Sequence, residues 1–264
     1  MIINIISPSD NSLNTTNDGK NVEGDEIVAR AWVKELNKRD EKITAFLGHS
    51  KIPPDVTIYF SPLPETKEDK SIKVLYLQNV FPKPNWPGTV EMFHIFKNQY
   101  DNFIFPSQGL KDKTKDKDSL VLQFAADHEI YKPNPITYDL AHNLCFVGNN
   151  FRSPDVTEQF LMCTSEMGLA LYGNPASWNN FLCRGKITPE DESKLYSSSK
   201  ICLNLHLKEH LENGTFNLRI FNILASGGFV ISDHSEKLEK EFGDCIVFTT
   251  GHQDLKDKCN FYLD

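Results

Sequence analysis

Residues 213–233 read Asn-Gly-Thr-Phe-Asn-Leu-Arg-Ile-Phe-Asn-Ile-Leu-Ala-Ser-Gly-Gly-Phe-Val-Ile-Ser-Asp, and in this largely apolar stretch Arg219 and Asn222 stand three apart. Residues three apart on a helix share a face, so a guanidinium and an amide would look out together from a mostly buried helix. The start of such a helix offers unpaired N–H groups and the positive end of its dipole. Asn213 or Thr215 can cap it through a side-chain oxygen. An arginine beside a helix start suits an anion, and a diphosphate fits it by charge and by the planar fork of donors. The same pattern also fits an ordinary α/β crossover whose one arginine is salt-bridged at the rim. His206 and His210 are four apart, a spacing that can bring two imidazoles to one metal, but no third ligand is near in sequence and no metal is expected. His206 closes an apolar run, Ile201–Leu205, and reads either as facing a cleft or as a half-buried structural histidine.

These groups need elements to hold them. Ile2–Ile6 reads as a buried strand, Ser7 to Gly24 as a polar loop, and Asp25–Arg39 as a helix with Ile27, Val28, Ala31, Trp32 and Leu36 on one side. Further strands are expected at Ile43–Leu47, Val56–Phe60, Lys73–Leu77, Phe103–Pro106 and Leu120–Phe124, with a helix at Thr89–Tyr100 and a proline-rich loop from Gln78 to Gly88. Lys111–Asp118 alternates Lys and Asp, a solvated loop or helix rather than a binding tail. After Ala125–Pro135, a hinge with two prolines, the alternation restarts: strands Leu144–Val147, Leu169–Tyr172, Ile201–Leu205 and Phe229–Ser232, helices Pro154–Met167 and Pro189–Ser197, and a last helix over Asp254–Leu263. Strands alternating with helices in both halves argue two parallel-sheet α/β domains, residues 1–135 and 136–264.

Composition narrows the function classes. With 39% hydrophobic and 24% charged residues the chain is of the soluble globular kind, and no run approaches the length of a membrane span. The net charge of −8 argues against generic nucleic-acid or anionic-membrane binding. Six cysteines without a Cys-x-x-Cys read as reduced thiols of a cytoplasmic protein.

Five segments then occur in order: Phe146-Val-Gly-Asn-Asn-Phe-Arg152, Gly168-Leu-Ala-Leu-Tyr-Gly173, Arg184-Gly-Lys-Ile187, Ser199-Lys-Ile-Cys-Leu-Asn-Leu-His206 and Asn217-Leu-Arg-Ile-Phe-Asn-Ile-Leu-Ala-Ser-Gly227. Together they resemble the donor-binding domain of GT-B glycosyltransferases, in particular the CgeB-like family, and more distantly the phage DNA β-glucosyltransferases. The resemblance covers about residues 140–250 well and 70–135 loosely. It implies a GT-B architecture, two Rossmann-like domains facing each other across a cleft. It also implies transfer of a sugar from a nucleotide-sugar, UDP-linked by expectation, to an unidentified hydroxyl acceptor, with the donor as a substrate and no cofactor or metal. By the same resemblance Arg219 and Arg152 stabilise the diphosphate leaving group, the backbone at Lys186 and Ile187 reads the base, and Gly148, His206, Phe216, Asn217 and Asn222 complete the donor site. One departure stands out: where the family carries Glu to hold the ribose, this chain has Asn222, which hydrogen-bonds without charge. A non-catalytic binding module and another GT-B-shaped enzyme, such as an epimerase, remain the alternatives. For a catalytic base the neighbourhood of Leu77 offers Gln78 and Asn79 rather than an acid; Asp18, Asp25, His94, Asp127, His128 and Glu129 are the other candidates.

Overall fold

The computed structural model describes residues 1–7, 24–62, 70–78, 88–150 and 154–264, with the side chains at 24–25 and 154–156 left aside. Arg152, Asp18, Asn79, the Asp25 side chain, most of the first polar loop and the body of the proline-rich loop lie outside the described residues.

The chain divides into two compact units, residues 1–123 with 212–215, and residues 124–211 with 216–264. The first holds a sheet of β1 (Ile2–Ile6), β2 (Thr44–Leu47), β3 (Val56–Tyr59), β4 (Ile72–Tyr76), β5 (Asn102–Phe105) and β6 (Leu120–Val121), in the order β2-β1-β3-β4-β5-β6. Every pairing in it is parallel. Its strands carry apolar, β-branched and aromatic residues because a parallel sheet is buried on both faces. Helices α1 (Gly24–Arg39), α2 (Thr89–Phe96) and α3 (Gln108–Thr114) belong to this unit. Phe93, Phe103 and Phe105 pack with Leu75 and Tyr100 in one core, while Trp32 stacks on Tyr76 at 5.2 Å. The sixth expected strand, Leu120–Phe124, shrinks to the two residues of β6, an exposed edge pair held to β5 alone.

The second unit repeats the plan with β7 (Leu144–Val147), β8 (Leu169–Tyr172), β9 (Ile201–Asn204), β10 (Val230–Asp233) and β11 (Val247–Thr249), all parallel, in the order β11-β10-β9-β7-β8. Its helices are α4 (Pro154–Met162), α5 (Pro189–Ser198), α6 (Lys208–Asn213, which ends inside the 212–215 strap), α7 (Leu218–Ala225), α8 (Glu236–Phe242) and α9 (His252–Leu263). One apolar cluster joins α5, α7 and α8 with Tyr131, and another joins α4 and α9 with Trp178. The two clusters make this a sheet covered on both faces, with the strand order reversing between β7 and β9. Open α/β sheets bind ligands at the carboxyl ends of the strands where the order reverses.

Candidate active site

Helix α7 starts later than its sequence suggests. Asn217 is the N-cap: its side-chain oxygen accepts from the Ile220 N–H at 3.2 Å, and its amide nitrogen donates to the Leu205 carbonyl at 2.9 Å. Asn213 and Thr215, the expected caps, are engaged elsewhere. Ser107 Oγ donates to the Asn213 carbonyl at 2.8 Å, Lys113 Nζ donates to the Asn213 side chain, and Thr215 Oγ1 bonds Ser107 Oγ at 3.2 Å. Gly214, at φ +65°, separates α6 from α7 in a conformation that favours glycine.

Arg219, in the first turn of α7, turns toward the sheet and lies where the strand order reverses. Its Nε donates to the Val147 carbonyl at the end of β7 (2.5 Å), and its Nη1 donates to Asn204 Oδ1 at the end of β9 (3.2 Å) and to the Leu205 carbonyl (3.4 Å). The guanidinium carbon sits 4.3 Å from the centre of the Phe146 ring, a cation–π arrangement. Its Nη2 makes no hydrogen bond among the described residues. Gly148 passes directly beneath: a Cβ there would stand 2.4 Å from Nη2, so any larger residue would push the guanidinium aside. Gly173 packs in turn on Gly148, where a Cβ would meet the Gly148 carbonyl oxygen at 1.9 Å. Two glycines on neighbouring strand ends thus make room for one guanidinium.

Buried polar groups hold this arrangement. Asn204 accepts from Arg219 and donates through Nδ2 to Ser232 Oγ at 3.0 Å; Ser232 Oγ donates to Asp233 Oδ1 at 2.9 Å. His206 is not half-buried: its side chain is wholly enclosed, with Nδ1 2.8 Å from Asp233 Oδ1 and its backbone N–H donating to Asp233 Oδ2 at 2.9 Å. The buried Nε2 on the other side of the ring has no partner among the described residues. The ring centres of His206 and His210 are 6.4 Å apart and edge-on. Behind the guanidinium, Glu192 of α5 accepts from the Tyr196 hydroxyl at 2.5 Å and the Tyr131 hydroxyl at 2.9 Å. Burial pushes the Glu192 carboxyl above its ordinary range and pulls Arg219 below its own, while Tyr196, Glu192 and Asp233 favour the Arg219 charge.

Of the other expected residues, Asn222 is buried in α7 and its Oδ1 has no partner among the described residues. Phe216 is a core ring, 6.2 Å from His206 and 5.4 Å from Phe242. Lys186 is exposed and Ile187 packs against the α5–α7 cluster. Asp127 forms a turn, its side chain accepting from the Glu129 N–H at 2.9 Å. Four residues went unseen in the sequence: Asn204, Asp233, Glu192 and Glu158. The buried Glu158 carboxylate accepts from the Asn179 N–H at 2.9 Å and from the Asn180 amide, and these bonds hold its pKa low. Asn149 Oδ1 accepts from Asn174 N–H at 2.6 Å, and Asn150 N–H donates to Ser177 Oγ at 3.3 Å, so the turn after β7 is zipped to the loop after β8. A polar Asn closing the apolar run Ile-Cys-Leu was the one legible signal among the four.

Both sheets are parallel and doubly wound, and the second holds an arginine and two glycines at its reversal point, the place where open α/β sheets bind ligands. Solved structures identify this architecture as the GT-B glycosyltransferase fold. The chain is similar to T4 phage β-glucosyltransferase in complex with its UDP-glucose substrate (16% identity, TM-score 0.59, covering 99% of this chain and 89% of that one). It is similar to AviGT4, a glycosyltransferase involved in avilamycin A biosynthesis (12%, TM-score 0.62, covering 100% and 88%). It is also similar to a putative UDP-N-acetylglucosamine 2-epimerase from Listeria monocytogenes (11%, TM-score 0.55, covering 100% and 87%). Residues 153–264 match the family model described as glycosyl transferase-like. No curated protein matches the chain. No helix among the described residues is long and apolar enough to cross a membrane.

Proposed function

We propose that this protein is a glycosyltransferase that takes a nucleoside-diphosphate sugar, UDP-linked, and passes the sugar to a hydroxyl acceptor without a metal ion, in the cytoplasm. The observation that carries the reading is Arg219: a guanidinium fixed by three carbonyl-type acceptors at the reversal point, with Nη2 above Gly148 making no hydrogen bond among the described residues. Such a group is preorganised for the charge that develops on a departing diphosphate, the kind of electrostatic stabilisation that contributes most to catalysis of this type. Arg152 is proposed as a second cation for the same leaving group. Gly148 and the N-terminus of α7 behind Asn217 give the phosphates close backbone approach. Lys186 and Ile187 are proposed to read the base through main-chain groups, with Asn222 hydrogen-bonding the ribose and His206 held beneath by Asp233. Residues 136–264 would be the donor domain and residues 1–135 the acceptor side.

An epimerase of the same fold is the second reading, favoured by the similarity to the Listeria protein. Calorimetric titration with UDP, on the wild type and on Arg219→Ala, is the test. Micromolar binding that weakens by at least about 1.5 kcal/mol in the variant supports the donor site. UDP-glucose is then incubated with and without a glycan or phenolic acceptor. Transfer supports the first reading, whereas sugar inversion without acceptor supports the second. Absence of binding by any of UDP, GDP and CDP overturns both.

A further inference from the structure

Glu158, in the second turn of α4, is a buried carboxylate whose partners among the described residues are all amides. One oxygen accepts from the Asn179 N–H at 2.9 Å and the other from the Asn180 side chain. The Asn180 N–H and the Asn150 side chain hydrogen-bond the same carboxylate. Helix α4, the turn after β7 and the loop after β8 therefore meet on one side chain. We propose that Glu158 is a positioning residue for Arg219: it fixes the floor on which the guanidinium rests, and with it the place of Nη2. That Nη2 meets a diphosphate there rests on the function proposed above.

Two chains of contact run from Glu158 to the guanidinium. The first passes through aromatic rings. Trp178, next to Asn179, is buried and stands edge-on to Phe146 with ring centres 5.9 Å apart, and Phe146 is the ring that lies 4.3 Å from the guanidinium carbon. The second passes through the backbone. Asn150 stands two residues after Gly148; its N–H donates to Ser177 Oγ at 3.3 Å, and Asn149 Oδ1 accepts from the Asn174 N–H at 2.6 Å. These bonds keep the turn that carries Gly148 against the loop that Glu158 holds, and Gly148 leaves no space for a Cβ under Nη2. Packed groups transmit small shifts, so a displaced ring or turn displaces the guanidinium. The chemistry also requires a carboxylate at this point. Its two oxygens accept from several N–H groups at once, whereas a glutamine amide turns one donor toward them. Among the described residues Glu158 makes no bond to Arg219 itself, so it acts only through Phe146 and Gly148.

The test uses the full chain with Glu158→Gln and with Asn180→Ala, each alone and combined with Arg219→Ala. Asn180 is exposed, so its variant removes one bond to Glu158 and leaves the core intact. Spectra of ¹H–¹⁵N pairs are recorded first, without ligand, for the Gly148 amide and for the Arg219 Nε–H that donates to the Val147 carbonyl. Both should shift in Glu158→Gln and, in the same direction but by less, in Asn180→Ala. A loss of stability alone leaves the signals of the folded molecules where they were, so unchanged signals in both variants overturn the proposal. Calorimetry with UDP follows. Glu158→Gln should weaken UDP about fivefold and Asn180→Ala about twofold, while neither should change the affinity that remains in Arg219→Ala by more than about 1.5-fold. An equal loss in both backgrounds, or no loss in either variant, overturns the positioning role and leaves the donor reading intact. Failure of the wild type to bind UDP removes the donor reading, and the Gly148 and Arg219 signals then decide the role of Glu158.

Discussion

The two sheets share one strand plan and differ in what stands at the point where it reverses. In the first unit β1 and β3 end in Ile6, Ser7, Tyr59 and Phe60, and β4 runs on into Leu77 and Gln78. Phe60 and Leu77 are buried, and Gln78 Nε2 donates back to the Phe60 carbonyl at 3.4 Å. Among the described residues that edge is mostly apolar, and its Gln78 amide bonds within it. In the second unit the corresponding edge, β7 and β9, carries Gly148, Asn204, His206 and, from α7, Arg219, with Nη2 of Arg219 and Nε2 of His206 left without partners among the described residues. An unpaired buried polar atom such as His206 Nε2 costs about 1–3 kcal/mol. The fold supplies the same crevice twice, and among the described residues the charged and hydrogen-bonding side chains gather at the second.

The contrast can be broken most directly at Gly148. In Gly148→Ala the new methyl meets Arg219 Nη2 and must displace it, so UDP affinity should fall about tenfold or more by calorimetry; an unchanged Kd would mean that Arg219 does not contact the ligand. Glu158→Gln comes next. An amide nitrogen turned toward the Asn179 and Asn180 donors leaves a donor unsatisfied, at about 1–3 kcal/mol near neutral pH by urea unfolding. Because its folded pKa is depressed, the Glu158 carboxylate contributes above its ordinary value of 4.5 and loses that contribution as the pH falls. The gap between wild type and variant should therefore close on acidification.

Glu192→Gln should do the reverse. Burial raises its folded pKa, so the protonated form contributes fully below the ordinary value of 4.5 and that contribution is lost as the pH rises. Removing the charge should raise Tm at pH 7.5 by about 2–4 °C, the shift for roughly 1 kcal/mol in a chain of this size, with the gain vanishing in acid. A drop in Tm at neutral pH would mean that the carboxylate stabilises Arg219 by more than its own desolvation costs. The smallest effect belongs to the first edge: Gln78→Ala should leave UDP affinity within about twofold, and a larger loss would give that edge a share in the donor site.

Sequence periodicity revealed the two parallel sheets because buried parallel strands are written as apolar runs, and Ile2–Ile6, Leu144–Val147 and Ile201–Asn204 all are. It also singled out Arg219, whose charge contrasts with an apolar helix and which the structure places at the reversal point of the second sheet. It overlooked α8, which Ser235 caps through a bond to Leu238, and left α3 open as loop or helix, which Ser107 caps through a bond to Leu110. It misplaced the cap of α7 because Asn213, Thr215 and Asn217 are all capable residues and only tertiary partners decide among them. Asp233 and Glu192 could not be seen. One reads as the polar end of a strand and the other as ordinary first-turn acidity in Pro-Glu-Asp-Glu, and their roles arise from Ser232, His206 and two tyrosines distant in sequence.

The strap at residues 212–215 bears on how the chain comes to exist. It belongs to the first unit, through Ser107 and Thr215, which are 108 positions apart, and through a close approach of Gly109 to the Asn213 carbonyl. During synthesis residues 1–123 emerge first and wait, on the order of ten seconds at about 5–20 residues per second, before the piece that covers Ser107 and Gly109 leaves the ribosome. The amino-terminal half is thus born unfinished, and a fragment cut at residue 123 would keep that raw edge permanently.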